Sequence, residues 1–304
     1  MEKVKIGIPK SLLYYKYGNM WKRFFDLLNI EYIVSDGSNK EMLSLGSNLI
    51  IDESCLSLKI FMGHVNSIKN KCDYILIPRI VCVKKKEKLC TNFMALYDLC
   101  NTVFDINILK FNIDIQDGSS ELDAFMEIGR SLGIGRIRTI KAYYDAVKHD
   151  KEVRENLLFK QDRILMEHKK KVLLVAHPYN LYDELVGKPI IKYLEKEAVI
   201  PILSDIYDIS KTDSESSNIS VSNYWTYNKD LMGAIWHYKD RVDGIIIISC
   251  FPCGPDSLSN EIITRKIKDK PAITIIVDEL DNDAGMITRL ESFIDVIKAK
   301  GDDE

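Results

Sequence analysis

The chain has 304 residues, 46% of them hydrophobic, which is more than one hydrophobic core usually organises and points to two domains. Lys and Arg number 42 against 45 Asp and Glu, a formal net charge of -3, so no single-sign field exists to attract nucleic acid or an anionic membrane surface. No stretch reaches the roughly 18 apolar residues that span a bilayer, and the opening MEKVKIGIPK carries no leader pattern, so the expectation is a cytoplasmic protein with neither a nucleic-acid nor a membrane partner.

In chain order, Val4 to Pro9 is a short apolar run that predicts a strand. Tyr14 to Leu28 places Trp21, Phe24, Phe25 and Leu28 at helical spacing. Tyr32 to Val34 predicts a second strand, Leu56 to Ile68 a helix, and Tyr74 to Ile77 a third strand that ends at Pro78 and Arg79. Residues 121 to about 170 are helical in pattern, broken near Gly133 and Gly135, and their basic stretches are expected to be solvated helix faces. The plan then repeats: strand Val172 to Ala176, helix Leu185 to Leu194, strand Val199 to Leu203, helix Leu231 to Tyr238, strand Gly244 to Ser249 and strand Ala272 to Val277. Pro9 pairs with Pro178, Gly18 with Gly187, Ser35 with Ser204 and Asp36 with Asp205 at one constant spacing, as an internal duplication would produce. The fold class expected is α/β, with two similar doubly wound parallel-sheet lobes facing across a cleft. A first lobe over 1–120, a helical connecting arm over 121–170 and a second lobe over 171–304 follow, and the tail from Lys298 is expected to fray.

Seven cysteines is an odd number in a chain of this kind, which favours thiol or metal chemistry over a disulfide framework. Cys250 and Cys253 form a C-x-x-C in SCFPCGPDS, directly after a strand and before Gly254 and Pro255, where ligands of open α/β sheets gather. The same spacing suits a redox dithiol, half of a zinc site or a cluster loop. Cys55 and Cys90 each stand at the head of a helical stretch, where a thiolate is favoured over a thiol. Cys72 and Cys100 look like packing residues, and Cys82 shares a loop with Cys90.

Asp256 and Ser257 suit helix capping as well as function. His64 has the pattern of a helix-surface or supporting group, and His177 stands at a strand's carboxyl end as a candidate acid or hydrogen-bond donor. Arg79, Asp278 and Glu279 are candidates for substrate binding or ion pairing. Thr288, Arg289 and Glu291 suit ordinary helix-surface pairing.

Taken together, IGIPKSL, ESCLSLKIFMGHV, the PR pair followed by LCTNFMAL, AHPYNLYDE, SCFPCGPDSL and VDELDNDAGMITRLESFID resemble the acyl-CoA dehydratase activase-related proteins. These belong to the wider group of 2-hydroxyacyl-CoA dehydratase subunits and double-cubane cluster proteins. The resemblance implies a 4Fe-4S or larger iron-sulfur cluster that receives low-potential electrons from an ATP-hydrolysing iron-sulfur activator protein. It further implies three thiolate ligands, carried over motif by motif to Cys55, Cys90 and Cys253 with Cys250 as the extra candidate, and one iron left for a small or CoA-linked substrate. Neither G-x-x-x-x-G-K-S/T nor another glycine-rich phosphate loop occurs, so ATP is expected on the partner. A homodimer or a related subunit is a further expected association. Whether the chain is a reductase or dehydratase component or an electron carrier stays open at this stage. The competing readings are a zinc module closed by Cys55, Cys90, Cys250 and Cys253, and a metal-free solute-binding protein.

Overall fold

Short apolar runs can be buried on both faces only in a sheet covered by helices, and parallel strands need a crossover helix between them. The computed structural model, which describes residues 4–279 and 283–299, meets both conditions twice. The chain divides into one unit ending at Glu155, with Tyr224–Thr226 added, and a second comprising Asn156–Asn223 and the residues from Tyr227 onward.

The first unit runs β1 (Lys5–Ile8), α1 (Tyr14–Leu28), β2 (Glu31–Val34), α2 (Lys40–Ser47), α3 (Leu56–Ile68), β3 (Tyr74–Cys82), α4 (Thr91–Val103), β4 (Ile108–Asp114) and α5 (Glu121–Ser131). Helix α6 (Arg136–Ile164) then carries the chain across the division into the second unit. There follow β5 (Lys171–Val175), α7 (Pro178–Leu181), α8 (Gly187–Lys196), β6 (Ile200–Leu203), α9 (Thr212–Ser216), α10 (Thr226–Tyr238), β7 (Gly244–Cys250), α11 (Gly254–Lys266), β8 (Ala272–Val277) and α12 (Asp283–Ala299). The strand orders are β2-β1-β3-β4 and β6-β5-β7-β8, all parallel, so the two units share one topology. Each order reverses beside its first strand, which puts the switch points between β1 and β3 and between β5 and β7. Among the described residues no helix is long and apolar enough to cross a membrane.

The helical spacing of Trp21, Phe24 and Phe25 is used as expected. Trp21 lies 5.3 Å from Phe111 of β4, and Phe111 lies 5.2 Å from Phe125 of α5, which also meets Phe24 at 4.8 Å, so aromatic edges and faces lock three elements together. Backbones touch between α2 and α3: a Cβ on Gly63 would lie 2.0 Å from the Met42 carbonyl oxygen, and one on Gly46 would lie 1.9 Å from that of Lys59.

Several sequence expectations change. The third strand does not stop at Ile77 but continues through Pro78 and Arg79 to Cys82, so Arg79 lies within it and Cys82 ends it rather than sharing the Cys90 loop. Proline is tolerated there because β1 pairs with β3 only at Tyr74 and Ile75, leaving no ladder on that side for Pro78 to interrupt. Strand β4 escaped the sequence reading, although ILKFNID alternates as a strand should. The helix expected from Leu231 begins at Thr226, and the one expected from Leu185 begins at Gly187 after the short α7.

The duplication holds in topology but not at one constant spacing. Ser35 and Ser204 do the same work: the amide of Lys10 donates to Ser35 Oγ at 2.7 Å and that of Ala176 to Ser204 Oγ at 3.3 Å, each residue two beyond the strand position paired with the serine amide. Pro9 therefore corresponds to Val175 and not to Pro178, and Gly18 inside α1 has no counterpart in Gly187, which opens α8. The firmer correspondences are between helices of equal length. Helices α3 and α10 are both 13 residues long with Gly63 and Gly233 at matching positions, and α4 and α11 are both 13 residues long.

His64 is fully buried, not a helix-surface group. Its Nδ1 lies 2.8 Å from Ser35 Oγ and its Nε2 2.9 Å from Ser38 Oγ. In a neutral ring one nitrogen donates to its serine and the other accepts from the second serine's hydroxyl, so both ring nitrogens are satisfied. Burial, and then the charge of Lys10, hold the imidazole down to about 4 against the opposing pull of Asp36. Below the ordinary value of about 6.5 the unfolded chain takes up a proton that the native ring refuses, so stability falls as pH drops and levels off only near the native value. Urea unfolding should show a loss of ~2 kcal/mol between pH 7 and pH 5 that is absent in His64→Gln. Equal slopes in the two proteins would remove His64 as the cause.

Candidate functional site

A helix running back along a parallel sheet starts at the carboxyl edge of the strands, where its first amides point outward and favour negative charge. Three 13-residue helices of this protein have cysteine as the N-cap residue: Cys55 before α3, Cys90 before α4 and Cys253 before α11. All three have extended backbone angles, and in none does the thiol serve as the capping acceptor. The backbone carbonyls do that work instead: Cys55 O accepts from Leu58 at 2.9 Å, Cys90 O from Phe93 at 3.1 Å and Cys253 O from Ser257 at 3.0 Å. All three residues are partly exposed.

In the first unit, Asn92 in the opening turn of α4 donates from Nδ2 to Cys55 Sγ at 3.3 Å. That contact brings the heads of α3 and α4 together, so Cys55 and Cys90 belong to one edge of the unit. The remaining thiols there are held differently. Cys82 is buried and donates to the Lys84 carbonyl at 3.0 Å. Burial pushes the Cys100 thiol up to about 12, and burial followed by the charge of Asp73 raises that of Cys72, which donates to the Ile68 carbonyl at 3.3 Å. Both stay protonated packing thiols, as their sequence positions suggested.

In the second unit, Cys253 shares its helix head with Asp256. Of the two roles left open for Asp256 and Ser257, capping is not the one their side chains take. Ser257 Oγ donates back to the Cys253 carbonyl at 2.7 Å, and the buried Asp256 carboxylate accepts from His177 Nε2 and from Asn228 Nδ2, each at 2.8 Å. The Cys253 side chain is a further hydrogen-bond partner of Asp256. Burial, the largest single influence, works against the charge on Asp256, but His177, Asn228 and Cys253 together outweigh it and leave the carboxyl below its ordinary range. Cys250, the last residue of β7, is buried and donates to Asn180 Oδ1 at 3.3 Å.

The other candidates serve the scaffold. Arg79 donates to Asn112 Oδ1 on β4, Arg289 to the Thr274 carbonyl, and Thr288 to the Ala284 carbonyl. Asp278 Oδ1 accepts the amide of Glu279, while residues 280–282 of the same motif and the tail beyond 299 lie outside the described residues. Sequence reasoning missed Asn92, Asn180 and Asn228. Only Asn92, two residues after Cys90, carried a positional hint.

The donor set at the helix heads fits a thiolate-held metal group in kind: sulfur ligands, partial exposure and helix N-termini behind them. Among the described residues no three His, Cys, Asp or Glu side chains already surround a common metal position.

Comparison with known proteins gives one family. A family model described as "CoA enzyme activase uncharacterised domain" matches residues 5–206. No curated protein matches the chain. A solved structure entitled "Crystal structure of ZnuA" aligns over 98% of this chain and 99% of its own at 11% identity with a TM-score of 0.24, too low to bear on fold or function.

The difference in thiol environments has a chemical readout. In reduced, metal-free protein at pH 7.5, iodoacetamide should modify Cys55 and Cys90 at least about ten times faster than Cys82, Cys100 and Cys250. Peptide mass spectrometry measures the order, and uniform rates would mean that the helix heads confer no reactivity.

Proposed function

Because the chain belongs to the family of the CoA enzyme activase uncharacterised domain, we propose that it is the iron-sulfur component of a system that activates a CoA-dependent enzyme of the dehydratase type. On this reading it accepts low-potential electrons from a separate ATP-hydrolysing iron-sulfur activator, since its own sequence has no phosphate loop. The observation that carries the reading is the repeated placement of cysteine as N-cap of a 13-residue helix, at Cys55, Cys90 and Cys253. Asparagine or serine would cap these helices better, so cysteine there is explained by what a thiolate can bind.

Cys55, Cys90 and Cys253 are the thiolates proposed to hold a 4Fe-4S cluster. Such a cluster, when bound, supplies a one-electron carrier and an iron position not filled by cysteine. Asn92 supports this as a donor to the Cys55 sulfur, the kind of hydrogen bond that tunes a cluster's potential. Cys250 is engaged with Asn180 and stands outside the proposed set. The partners proposed are the activator, the dehydratase-type enzyme, and a second copy or related subunit.

Anaerobic iron and sulfide analysis tests the ligand set. Cys55→Ser, Cys90→Ser and Cys253→Ser should each lose most of the iron and sulfide, because serine is a poor replacement for thiolate at iron. Cys100→Ser and Cys250→Ser should retain it. A colourless wild-type protein carrying zinc would replace this reading with the structural zinc module.

A further inference from the structure

His177 is the N-cap residue of α7, immediately beyond β5, and is 3% exposed. Its Nε2 pairs with Asp256 at 2.8 Å, and its ring stacks on Tyr179 with centroids 5.1 Å apart and planes 18° from parallel. The ring plane is thus fixed from one edge and one face. Nδ1, on the ring's other edge, is buried and has no hydrogen-bond partner among the described residues. It does not cap its own helix, because no side-chain capping bond is made and the His177 carbonyl already takes the amides of Asn180 at 2.8 Å and Leu181 at 3.0 Å. A buried ring nitrogen is a group that native structures ordinarily satisfy, and this one is left open to an occupant.

Two further facts identify the occupant's chemistry. Metal-binding histidines characteristically give their second ring N–H to a carboxylate, which fixes the tautomer and leaves the opposite nitrogen's lone pair for the metal. His177 has that arrangement with Asp256, and the same Asp256 is hydrogen-bonded by the side chain of Cys253. Cys253 and His177 come from the loops after β7 and β5, the two strands flanking the switch point of the second unit.

We propose that His177 is a further metal-facing residue, whose Nδ1 binds iron of the same group that Cys253 holds, with Asp256 fixing the imidazole through Nε2. This rests on the iron-sulfur reading and adds to it a nitrogen ligand beside Cys253. Asn228 supports it at one remove, by donating to Asp256 Oδ1 at 2.8 Å and keeping the carboxylate in place when the Cys253 thiol gives up its proton to bind metal.

The test uses the full chain, anaerobically reconstituted with iron and sulfide, labelled with ¹⁵N-histidine and reduced, with pulsed paramagnetic resonance to read nitrogen hyperfine coupling. Wild type should show a strong histidine coupling. It should vanish in His177→Gln, and in His177→Asn if the glutamine variant does not fold, while His237→Gln keeps it. Iron and sulfide should fall by no more than about half in the His177 variants, since the cysteine ligands remain. A paramagnetic cluster without histidine coupling in wild type, or coupling that survives loss of His177, overturns this inference and leaves the cluster reading intact. Wild-type protein with no iron and sulfide overturns both.

Discussion

Parallel pairing of eight short strands is the constraint on which the rest depends. Parallel neighbours cannot be joined by a tight turn, so the chain returns through helices, and each return begins at the carboxyl edge of the sheet. Helix N-termini therefore collect there by necessity, and with them unpaired amides that favour anions. Cysteine at such a place is chemically different from cysteine in a strand or a helix interior. Cys100, inside α4, is pushed up to about 12 by burial, while Cys90, at the head of the same helix, meets the positive end of the peptide dipoles. Ten residues of one helix separate an inert thiol from a ligand candidate, and topology alone makes the difference.

The two buried histidines show how the same side chain is put to opposite uses. His64 has a serine on each ring nitrogen and a neutral ring that fills its site completely, so it has nothing left to offer a ligand. His177 has a carboxylate on one nitrogen and nothing on the other. The contrast also explains why burial alone is a poor guide to function. Both rings are hidden from water, and only the account of donors and acceptors separates a structural clamp from a group still able to bind.

Much of this was legible in the sequence. Short β-branched runs bounded by turns announced the parallel sheets, and helical spacing of Trp21, Phe24, Phe25 and Leu28 placed α1 correctly. The helix-head positions of Cys55, Cys90 and Cys253 followed from where apolar periodicity began. What failed had physical causes. Pro78 argued for a strand end because a proline normally breaks a ladder, yet the ladder on β1's side had already stopped. For Asp256 capping and function stood level, because Asp near a helix start usually caps it. Its partners, His177 and Asn228, lie 79 and 28 residues away in sequence, and no local pattern encodes such contacts.

The shared topology makes the differences between the units informative. At the crossover after the third strand both units place cysteine, Cys90 before α4 and Cys253 before α11. At the head of the preceding helix the sequences diverge: Cys55 precedes α3, whereas Trp225, which belongs to the first unit and bridges Lys88 there, precedes α10. Beyond the first strand the contrast runs the other way, since Ser11 stands where the second unit has His177, whose partner Asp256 lies beyond β7. The first unit thus has cysteine at two helix heads, and the second has cysteine at one and histidine at another. One topology with different side chains at its helix heads shows that the fold sets where a donor can stand, while the residues placed there set which donor it is.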